Sequence, residues 1–207
     1  MTTRFVAISG NIGAGKTTLC EYLCQRYGWE PIYEPYIENP FLDDFYADMP
    51  RWAFHSQTWF LARKTSVHLG LQEGLNRHSG VVLQDRTLYE DAEIFAAHLA
   101  RSGAMTAREW ATYQDLYTAV RTMLRPPDLL VHLRCSVPAI RRRIKQRGRP
   151  SEQNIPTTYL RKLNALYEKW VGGWKDSPVV TWDTERMDWL SDLTHRIELH
   201  RAVERFL

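Results

Sequence analysis

Short runs of apolar residues alternate along the chain with longer stretches that have helical periodicity. The apolar runs lie at 5–9, 31–33, 81–84, 129–133 and 179–182. Continuous short runs of this kind are typical of strands that are buried on both faces of a parallel sheet. Between them, periodicity and turn residues predict helices at 17–27, 51–77, 90–102, 107–124, 138–146, 157–171 and 187–206. This alternation indicates an α/β fold with a five-stranded parallel sheet.

The size and composition of the chain fit one globular domain spanning residues 1–207. The chain is 44% hydrophobic, and no repeat or low-complexity linker divides it. Its three cysteines lack metal-ligand spacing, which favours a reducing, cytoplasmic location. The N-terminal apolar run is too short for a signal peptide, and no stretch approaches membrane-spanning length. No membrane association is therefore expected.

The net charge of +3 comes from basic residues that are mostly interspersed with acidic ones, except in a dense basic run at 141–149. Charge runs usually form solvated faces or nucleic-acid patches, and the solvated face is a reasonable interpretation for Arg141, Arg142 and Lys145. The run has no interleaved aromatic residues on which bases could stack. A nucleic-acid partner is therefore not expected.

The segment 10–17, GNIGAGKT, fits the phosphate-loop pattern GxxxxGK[ST] and lies between a predicted strand and a predicted helix. In such a loop, glycines let backbone N–H groups surround the phosphates at a helix N-terminus. Lys16 would reach the β- and γ-phosphates, and the Thr17 hydroxyl would ligate Mg²⁺. The alternative is a glycine-rich turn with a chance lysine. The residues expected to hold the triphosphate of ATP are Gly10, Asn11, Ile12, Gly13, Ala14, Gly15, Lys16, Thr17 and Thr18.

Charged residues follow the next two predicted strands. Glu34 follows the second strand in Tyr-Glu-Pro, and Asp85 and Arg86 follow the third in Asp-Arg-Thr. Ligands of open α/β sheets bind at the carboxyl ends of the strands. A carboxylate there could accept the proton of a sugar hydroxyl that attacks phosphorus.

Together with the phosphate loop, these segments and several later ones resemble the deoxynucleoside kinase family, which includes deoxycytidine, deoxyguanosine and deoxyadenosine kinases. The later segments are Arg-Trp-Ala-Phe at 51–54, Tyr-Glu-Asp at 89–91, Arg-Gly-Arg at 147–149 and Glu-Gln at 152–153. The resemblance implies a three-layer P-loop kinase fold with an arginine-rich lid at about 143–154. It also implies a homodimer.

The resemblance assigns roles to the charged residues. Glu34 matches the general base, Asp85 the carboxylate that helps hold Mg²⁺, and Arg86 the arginine that contacts the 5′-oxygen. Many relatives have Glu-Arg-Ser where this chain has Asp-Arg-Thr, so the shorter carboxylate favours a metal contact through water. The alternatives are a strand-terminating Glu-Pro and a simple Asp-Arg ion pair.

The end of the basic run resembles the family's lid, which closes over ATP. On a helix, Arg143 and Arg147 lie four positions apart on one face, so both can point toward the transferring phosphoryl group. Arg149 follows in a glycine-containing loop. The resemblance also places Asp183, in the turn at 183–186, beside the donor adenine.

The resemblance further indicates how the acceptor nucleoside is recognised. Tyr46 and Glu152 match the pair that binds the 3′-hydroxyl, and the alternative for Tyr46 is a core tyrosine. For the base, Gln57 offers a donor and an acceptor, and Phe95 could stack on the ring. Purine- and cytosine-accepting members have an Arg-Asp pair at the positions of Lys64 and Asp91, for which the alternative is a surface salt bridge.

The expected activity is therefore ATP-dependent phosphorylation of a deoxynucleoside 5′-hydroxyl in nucleotide salvage, with preference for deoxyadenosine or deoxyguanosine. Deoxycytidine is a further candidate acceptor, and thymidine is not expected. Thymidylate kinase is the nearest alternative, but such kinases usually have Arg-Glu-Pro-Gly-Gly, whereas Tyr33 precedes Glu34 here. A non-enzymatic nucleotide-binding switch is a more distant alternative, because a switch does not need residues for a second ligand.

Overall fold

The structure is a computed structural model that describes residues 3–35, 38–75, 80–187, 189 and 192–205. Its five strands form one sheet in the order β2-β3-β1-β4-β5, and every neighbouring pair is parallel. The α/β fold predicted from the apolar runs is confirmed. The strands are β1 (Arg4–Gly10), β2 (Glu30–Ile32), β3 (Val81–Asp85), β4 (Leu129–Arg134) and β5 (Val179–Asp183).

Both faces of the sheet are covered. Val6 and Ile8 of β1 pack into one apolar cluster, while Phe5 and Ala7 pack into a second cluster on the opposite face. Successive side chains of a strand point to opposite faces, so a continuously apolar strand needs a covering layer on each side. Helices supply these layers. The helices are α1 (Lys16–Tyr27), α2 (Leu42–Ala47), α3 (Met49–Leu75), α4 (Leu88–Glu90), α5 (Ala97–Arg101), α6 (Ala107–Arg121), α7 (Val137–Arg147), α8 (Pro150–Gln153), α9 (Thr157–Gly173) and α10 (Leu193–Glu204), with a π-helical segment (Asp91–Ala96) between α4 and α5.

The predicted helices differ from the observed ones mainly at their ends. The helix predicted at 187–206 begins only at Leu193, because the Asp192 carboxylate accepts hydrogen bonds from the N–H groups of Thr194 (2.8 Å) and His195 (3.1 Å). Residues 76–77, at the end of another predicted helix, lie outside the described residues. The short helices α2 and α8 were not predicted, since four to six residues give too little periodicity.

Four aromatic side chains of α6 and α9 are buried or partly buried against the core. Tyr113 is fully buried, and Trp110 stacks on it at 6.0 Å between ring centroids. The Tyr117 hydroxyl and the Trp170 indole N–H both donate to Glu93, at 2.5 and 2.7 Å. None of the described helices is long and apolar enough to cross a membrane.

Candidate active site

The phosphate loop joins the end of β1 to the start of α1. Gly15 precedes the helix in the left-handed region (φ 103°), where a residue with a side chain would be strained. Gly10 has no room for a side chain, because a Cβ there would lie 2.8 Å from the Leu133 carbonyl oxygen. The Asn11 side chain donates to the Leu160 carbonyl (3.0 Å) and to Asn164 Oδ1 (2.6 Å), which fastens the loop to α9. The loop thus presents the helix N-terminus as an anion site.

Lys16 is buried, and its Nζ donates to the Asn11 carbonyl at 3.1 Å. Burial and the neighbouring Arg86 lower the pKa of Lys16 to about 8, against the opposing effect of nearby carboxylates including Asp85 and Glu34. Lys16 therefore remains mostly protonated at neutral pH, in a place where phosphate charge would be strongly favoured.

Next to the loop, the end of β3 and the start of α1 bring two oxygen ligands together. The Thr17 hydroxyl donates to Asp85 Oδ2 at 2.5 Å. The other carboxylate oxygen, Asp85 Oδ1, is buried and has no hydrogen-bond partner among the residues that the structure describes. The two residues expected to bind metal are therefore adjacent.

Glu34 lies beyond the end of β2, and two cations hold it. Its Oε1 accepts from Arg86 Nη1 at 3.1 Å and from Lys64 Nζ at 3.4 Å. Burial by itself would raise the pKa of Glu34, but Arg86, Lys64 and Lys16 outweigh burial and lower that pKa to about 2. The carboxylate is thus ionised and fixed at neutral pH.

Arg86 has an uncommon backbone conformation. It lies in the left-handed region (φ 62°), the one positive φ among the described non-glycine residues. Its N–H donates to the Ile8 carbonyl at 3.0 Å, and its guanidinium lies 4.6 Å from the centre of the Phe95 ring. Strain of this kind is common at functional sites, where the surrounding structure holds the residue in place.

Lys64 and Asp91 form a buried ion pair of 2.5 Å, and the Lys64 side chain is only 1% exposed. The alternative of a surface salt bridge is therefore wrong: α3 carries Lys64 beneath the cavity rather than onto the surface. Asp91 begins the π-helical segment, and Phe95 lies on the same segment.

A cavity of about 420 Å³ opens between these groups. At its inner end, Gln57 is 4% exposed, and its Oε1 lacks a hydrogen-bond partner within the described parts of the chain. Such a buried acceptor favours a ligand that donates to it. Most of the residues expected to bind the acceptor line this one cavity, namely Glu34, Tyr46, Gln57, Arg86, Asp91, Phe95 and Glu152, together with Lys16, Thr17 and Asp85.

A second cavity, of about 480 Å³, lies on the other side of the phosphate loop. It is lined by Gly13, Gly15, Lys16, Thr17, Thr18, Arg143, Gln146, Arg147, Arg149 and Trp189. Lys16 and Thr17 line both cavities, so the two cavities meet at the phosphate loop.

The arginines at the end of α7 have carboxylate or carbonyl partners. Arg143 donates to the carbonyls of Ala14 (3.0 Å) and Thr184 (2.8 Å), so it links the phosphate loop to the turn after β5. Arg147 and Arg149 both pair with Glu152 of α8, the latter at 3.2 Å. The segment predicted as the lid therefore borders both cavities.

A family model described as deoxynucleoside kinase matches residues 6–207. The chain belongs to the deoxynucleoside kinase family. It is 36% identical to the deoxyadenosine/deoxycytidine kinase of Bacillus subtilis (strain 168), in an alignment that covers 90% of this chain and 85% of the relative. It is 35% identical to a deoxyguanosine kinase of Lactobacillus acidophilus, over 97% of this chain and 90% of the relative.

The three-dimensional comparison agrees with this family. The structure of deoxyadenosine kinase from M. mycoides with bound dATP superimposes with a TM-score of 0.81 and 28% identity, covering 98% of this chain and 99% of that one. The resemblance inferred from the sequence motifs is confirmed, and this deoxynucleoside kinase is an enzyme of the phosphotransferase class.

One residue expected to bind ATP lies apart from the others. Asp183 ends β5, and its Oδ1 accepts from the Glu185 N–H at 3.0 Å, while Oδ2 pairs with Arg186 at 3.5 Å. It does not line either of the two cavities. Its contact with the donor adenine remains a prediction.

Three buried residues near the site were not predicted. Phe60 and Tyr159 line the same cavity as the residues expected to bind the acceptor, and Glu90 lies below the phosphate loop. The signal for Glu90 was present, because Thr-Leu-Tyr-Glu at 87–90 fits the capping-box pattern that marks a helix start. The two aromatic residues carry no such signal, since apolar residues on helices are usually core residues.

Proposed function

We propose that this deoxynucleoside kinase transfers the γ-phosphoryl group of ATP to the 5′-hydroxyl of a deoxynucleoside, preferring deoxyadenosine or deoxyguanosine, in nucleotide salvage. One observation carries the proposal: the Glu34 carboxylate, held by Arg86, opens into the same cavity as Lys16 and Thr17 of the phosphate loop. A base for an attacking hydroxyl and a site for a triphosphate thus share one space.

In the proposed reaction, Glu34 accepts the proton of the 5′-hydroxyl as the oxygen bonds to the γ-phosphorus and the bond to the β-phosphate oxygen breaks. ADP is the leaving group. Without ligand, three cations hold the pKa of Glu34 at about 2. Phosphate charge bound at Lys16 and Arg86 compensates two of these cations, so it raises that pKa and makes Glu34 a better base.

Arg86 and Lys16 would stabilise the charge that develops on the transferring group. Both are buried, so water screens them little and they need not reorganise during the reaction. Arg86 Nη2 also donates to the Gly10 carbonyl at 3.4 Å, which keeps the guanidinium between the acceptor site and the phosphate loop.

Thr17 and Asp85 fit a Mg²⁺ site. A hydroxyl and a carboxylate offer the hard oxygen ligands that Mg²⁺ prefers, and Asp85 Oδ1 lacks a partner among the described residues. No group of three or more histidine, cysteine or acidic residues is placed to hold a metal in the described ranges, and Mg²⁺ would take its further ligands from phosphates and water. When bound, Mg²⁺ would neutralise phosphate charge.

The lining of the cavity supports an acceptor base that carries an exocyclic amino group. When ionised, the Asp91 carboxylate accepts hydrogen bonds only, so it matches the amino donors of adenine, guanine and cytosine, whereas thymine has no amino group. Gln57 supplies the complementary donor and acceptor, and Phe95 supplies a face for stacking. The relatives named as deoxyadenosine and deoxyguanosine kinases support the same preference.

The sugar and the donor nucleotide complete the proposal. Tyr46 and Glu152, which line the acceptor cavity, would bind the 3′-hydroxyl. Arg143, Arg147 and Arg149 would surround the phosphates of ATP from the second cavity, with Asp183 near the donor adenine.

Assembly and location are also part of the proposal. The chain is proposed to form the homodimer expected of the family, and Leu116 and Met123, which are exposed near the end of α6, are candidate interface residues. The three cysteines are free thiols, which supports a reducing cytosol.

An acceptor panel tests the proposed function. ATP labelled at the γ-phosphate is incubated with the enzyme and, in separate reactions, deoxyadenosine, deoxyguanosine, deoxycytidine, thymidine, thymidylate or no acceptor. Label should appear in a deoxynucleoside monophosphate. Label in thymidine diphosphate alone would support a thymidylate kinase, and nucleotide binding without transfer would support a switch.

A further inference from the structure

The mechanism above does not use Glu90, a fully buried carboxylate directly beneath the phosphate loop. Four donors surround it. Oε1 accepts from the Gly10 N–H at 3.2 Å and from the Tyr167 hydroxyl at 2.9 Å, and Oε2 accepts from the Thr87 N–H at 3.0 Å and hydroxyl at 3.3 Å. Burial raises the pKa of Glu90, and the charges of Arg86 and Lys16 and the hydrogen bond from the Thr87 N–H oppose that effect.

Glu90 contacts three parts of the structure, which we call its anchors, and the first anchor is the phosphate loop. Gly10 is its first residue, and its N–H donates to Glu90 while its carbonyl accepts from Arg86 Nη2 at 3.4 Å. Glu90 and Arg86 therefore hold the two peptide groups on either side of the Gly10 Cα. Because a Cβ at Gly10 would meet the Leu133 carbonyl at 2.8 Å, the loop also has little freedom to shift toward β4.

The second anchor is the turn that carries Arg86. Arg86 occupies the left-handed region, which a residue of this kind adopts only when its surroundings hold it. On one side its own N–H is bound to the Ile8 carbonyl at 3.0 Å, and on the other side Glu90 binds the N–H of Thr87. Glu90 thus helps to hold the backbone that aims the guanidinium at Glu34.

The third anchor is α9. Tyr167, which donates to Glu90, also stacks on His132 of β4 at 5.7 Å, and His132 contacts the Ser9 hydroxyl at 3.0 Å. These contacts fasten the carboxylate to elements on either side of β1. Since it is bound from three directions, Glu90 has little freedom to follow a displaced loop.

We infer that Glu90 is a positioning residue for phosphoryl transfer: it fixes the donor loop and the acceptor arginine relative to each other. The inference rests on the proposed function. Glu90 lines neither cavity, so it acts through Gly10 and Thr87 rather than by touching a substrate. Misplacement of reacting groups by about 1 Å can lower a rate by about 100-fold, which sets the scale of the expected effect.

The test replaces Glu90 with Gln. Glutamine keeps the size of the side chain, but its N–H₂ group cannot accept the hydrogen bonds that one carboxylate oxygen accepts in the wild-type enzyme. The chain offers a matched control in Glu109, whose carboxylate binds the N–H and hydroxyl of Thr106 at 2.7 and 2.8 Å in the same type of capping box. The steady-state constants of E90Q and E109Q are measured per folded molecule, as counted by circular dichroism and by titration with an ATP analogue.

For E90Q we expect kcat to fall by about 30- to 100-fold with less than about 3-fold change in the nucleoside KM, because the base-binding part of the cavity is unaltered. E109Q should match the wild-type enzyme. A purely structural role would lower the folded fraction and leave kcat per folded molecule unchanged. Equal kcat values for E90Q and E109Q would overturn the inference.

A second variant keeps the test decisive if E90Q does not fold. Glu90→Asp retains the charge but withdraws the carboxylate by one methylene group, so it cannot reach Gly10 and Thr87 together. Its kcat should fall by about 10-fold, and a wild-type value would overturn the inference. If the wild-type enzyme transfers no phosphate to any nucleoside, the proposed function itself fails. That result differs from a failure of the inference about Glu90, in which the wild-type enzyme is active and the Glu90 variants match it.

Discussion

At the scale of single residues, the site contains a row of buried side chains whose positive and negative charges alternate. Lys64 lies between two carboxylates, at 2.5 Å from Asp91 and 3.4 Å from Glu34, and Arg86 approaches Glu34 from another side. Leaving a buried charge without its partner costs about 3–5 kcal/mol. Each charge in this group therefore depends on its neighbours for both its ionisation and its position.

Replacing Glu34 with Gln should lower kcat by about 100- to 10,000-fold, because the amide cannot accept the proton of the 5′-hydroxyl. ATP affinity, measured by equilibrium titration, should change little, since the phosphate loop is intact. Glu38→Gln is the matched control, because Glu38 is exposed and pairs with Arg63 on the surface. Retained turnover in E34Q would contradict the role of Glu34 as the base.

Lys64→Met should move the acid limb of the pH–rate profile to higher pH. Lys64 lowers the pKa of Glu34, so its removal raises that pKa, and the base becomes protonated, and inactive, at a higher pH than in the wild-type enzyme. Urea unfolding should also show a loss of about 3–5 kcal/mol. Lys64→Arg, which keeps the charge, serves as the control, and a K64M acid limb that overlies the wild-type limb would contradict the coupling.

The placement of single residues was predictable where position along a strand determines position in space. Glu34 and Arg86 follow neighbouring parallel strands, so the strand-end rule brings them together. The contact of Lys64 with Glu34 was not predictable, because it depends on how the 27-residue helix α3 crosses the sheet. The binding of Arg143 to the Ala14 carbonyl likewise depends on the packing of α7 against the loop.

At the scale of elements, the buried strands were the most predictable parts of the chain. All five residues of β3 are buried, and the apolar run at 81–83 with which it begins leaves few other interpretations. The π-helical segment at Asp91–Ala96 has no comparable signal, since one extra residue in a helical turn leaves the apolar pattern nearly unchanged. The ends of helices follow single capping side chains such as Asp192, which periodicity does not detect.

Helix α7 yields a prediction at this scale. Arg143→Lys should raise the ATP KM by about 10-fold, because a lysine cannot replace the guanidinium bonds that join the phosphate loop to the turn after β5. Arg142→Lys is the control, since Arg142 is exposed on the same helix. Steady-state kinetics at varied ATP would contradict this role of α7 if the two variants gave the same KM.

At the scale of the whole molecule, the residues of the candidate site lie at one end of a parallel sheet, where the strands end. The phosphate loop, Glu34, Asp85 and Arg86 lie at the carboxyl ends of β1, β2 and β3, and residues of α3 and the π-helical segment line the cavity that is proposed to bind the nucleoside. The family follows from the whole chain, since the match extends over residues 6–207. The choice of nucleobase is proposed to depend instead on a few side chains, chiefly Gln57 and Asp91.

A competition between acceptors tests most directly the proposed preference for purine deoxynucleosides over thymidine. The enzyme receives ATP labelled at the γ-phosphate and an equimolar mixture of deoxyadenosine, deoxyguanosine and thymidine, and the labelled products are separated. Their ratio equals the ratio of kcat/KM values. Purine deoxynucleoside monophosphates should exceed thymidine monophosphate by at least about 10-fold, because a site that hydrogen-bonds a substrate group can reject an analogue lacking that group by about 10,000-fold or more. Thymidine monophosphate as the main product would contradict the proposed recognition of the base.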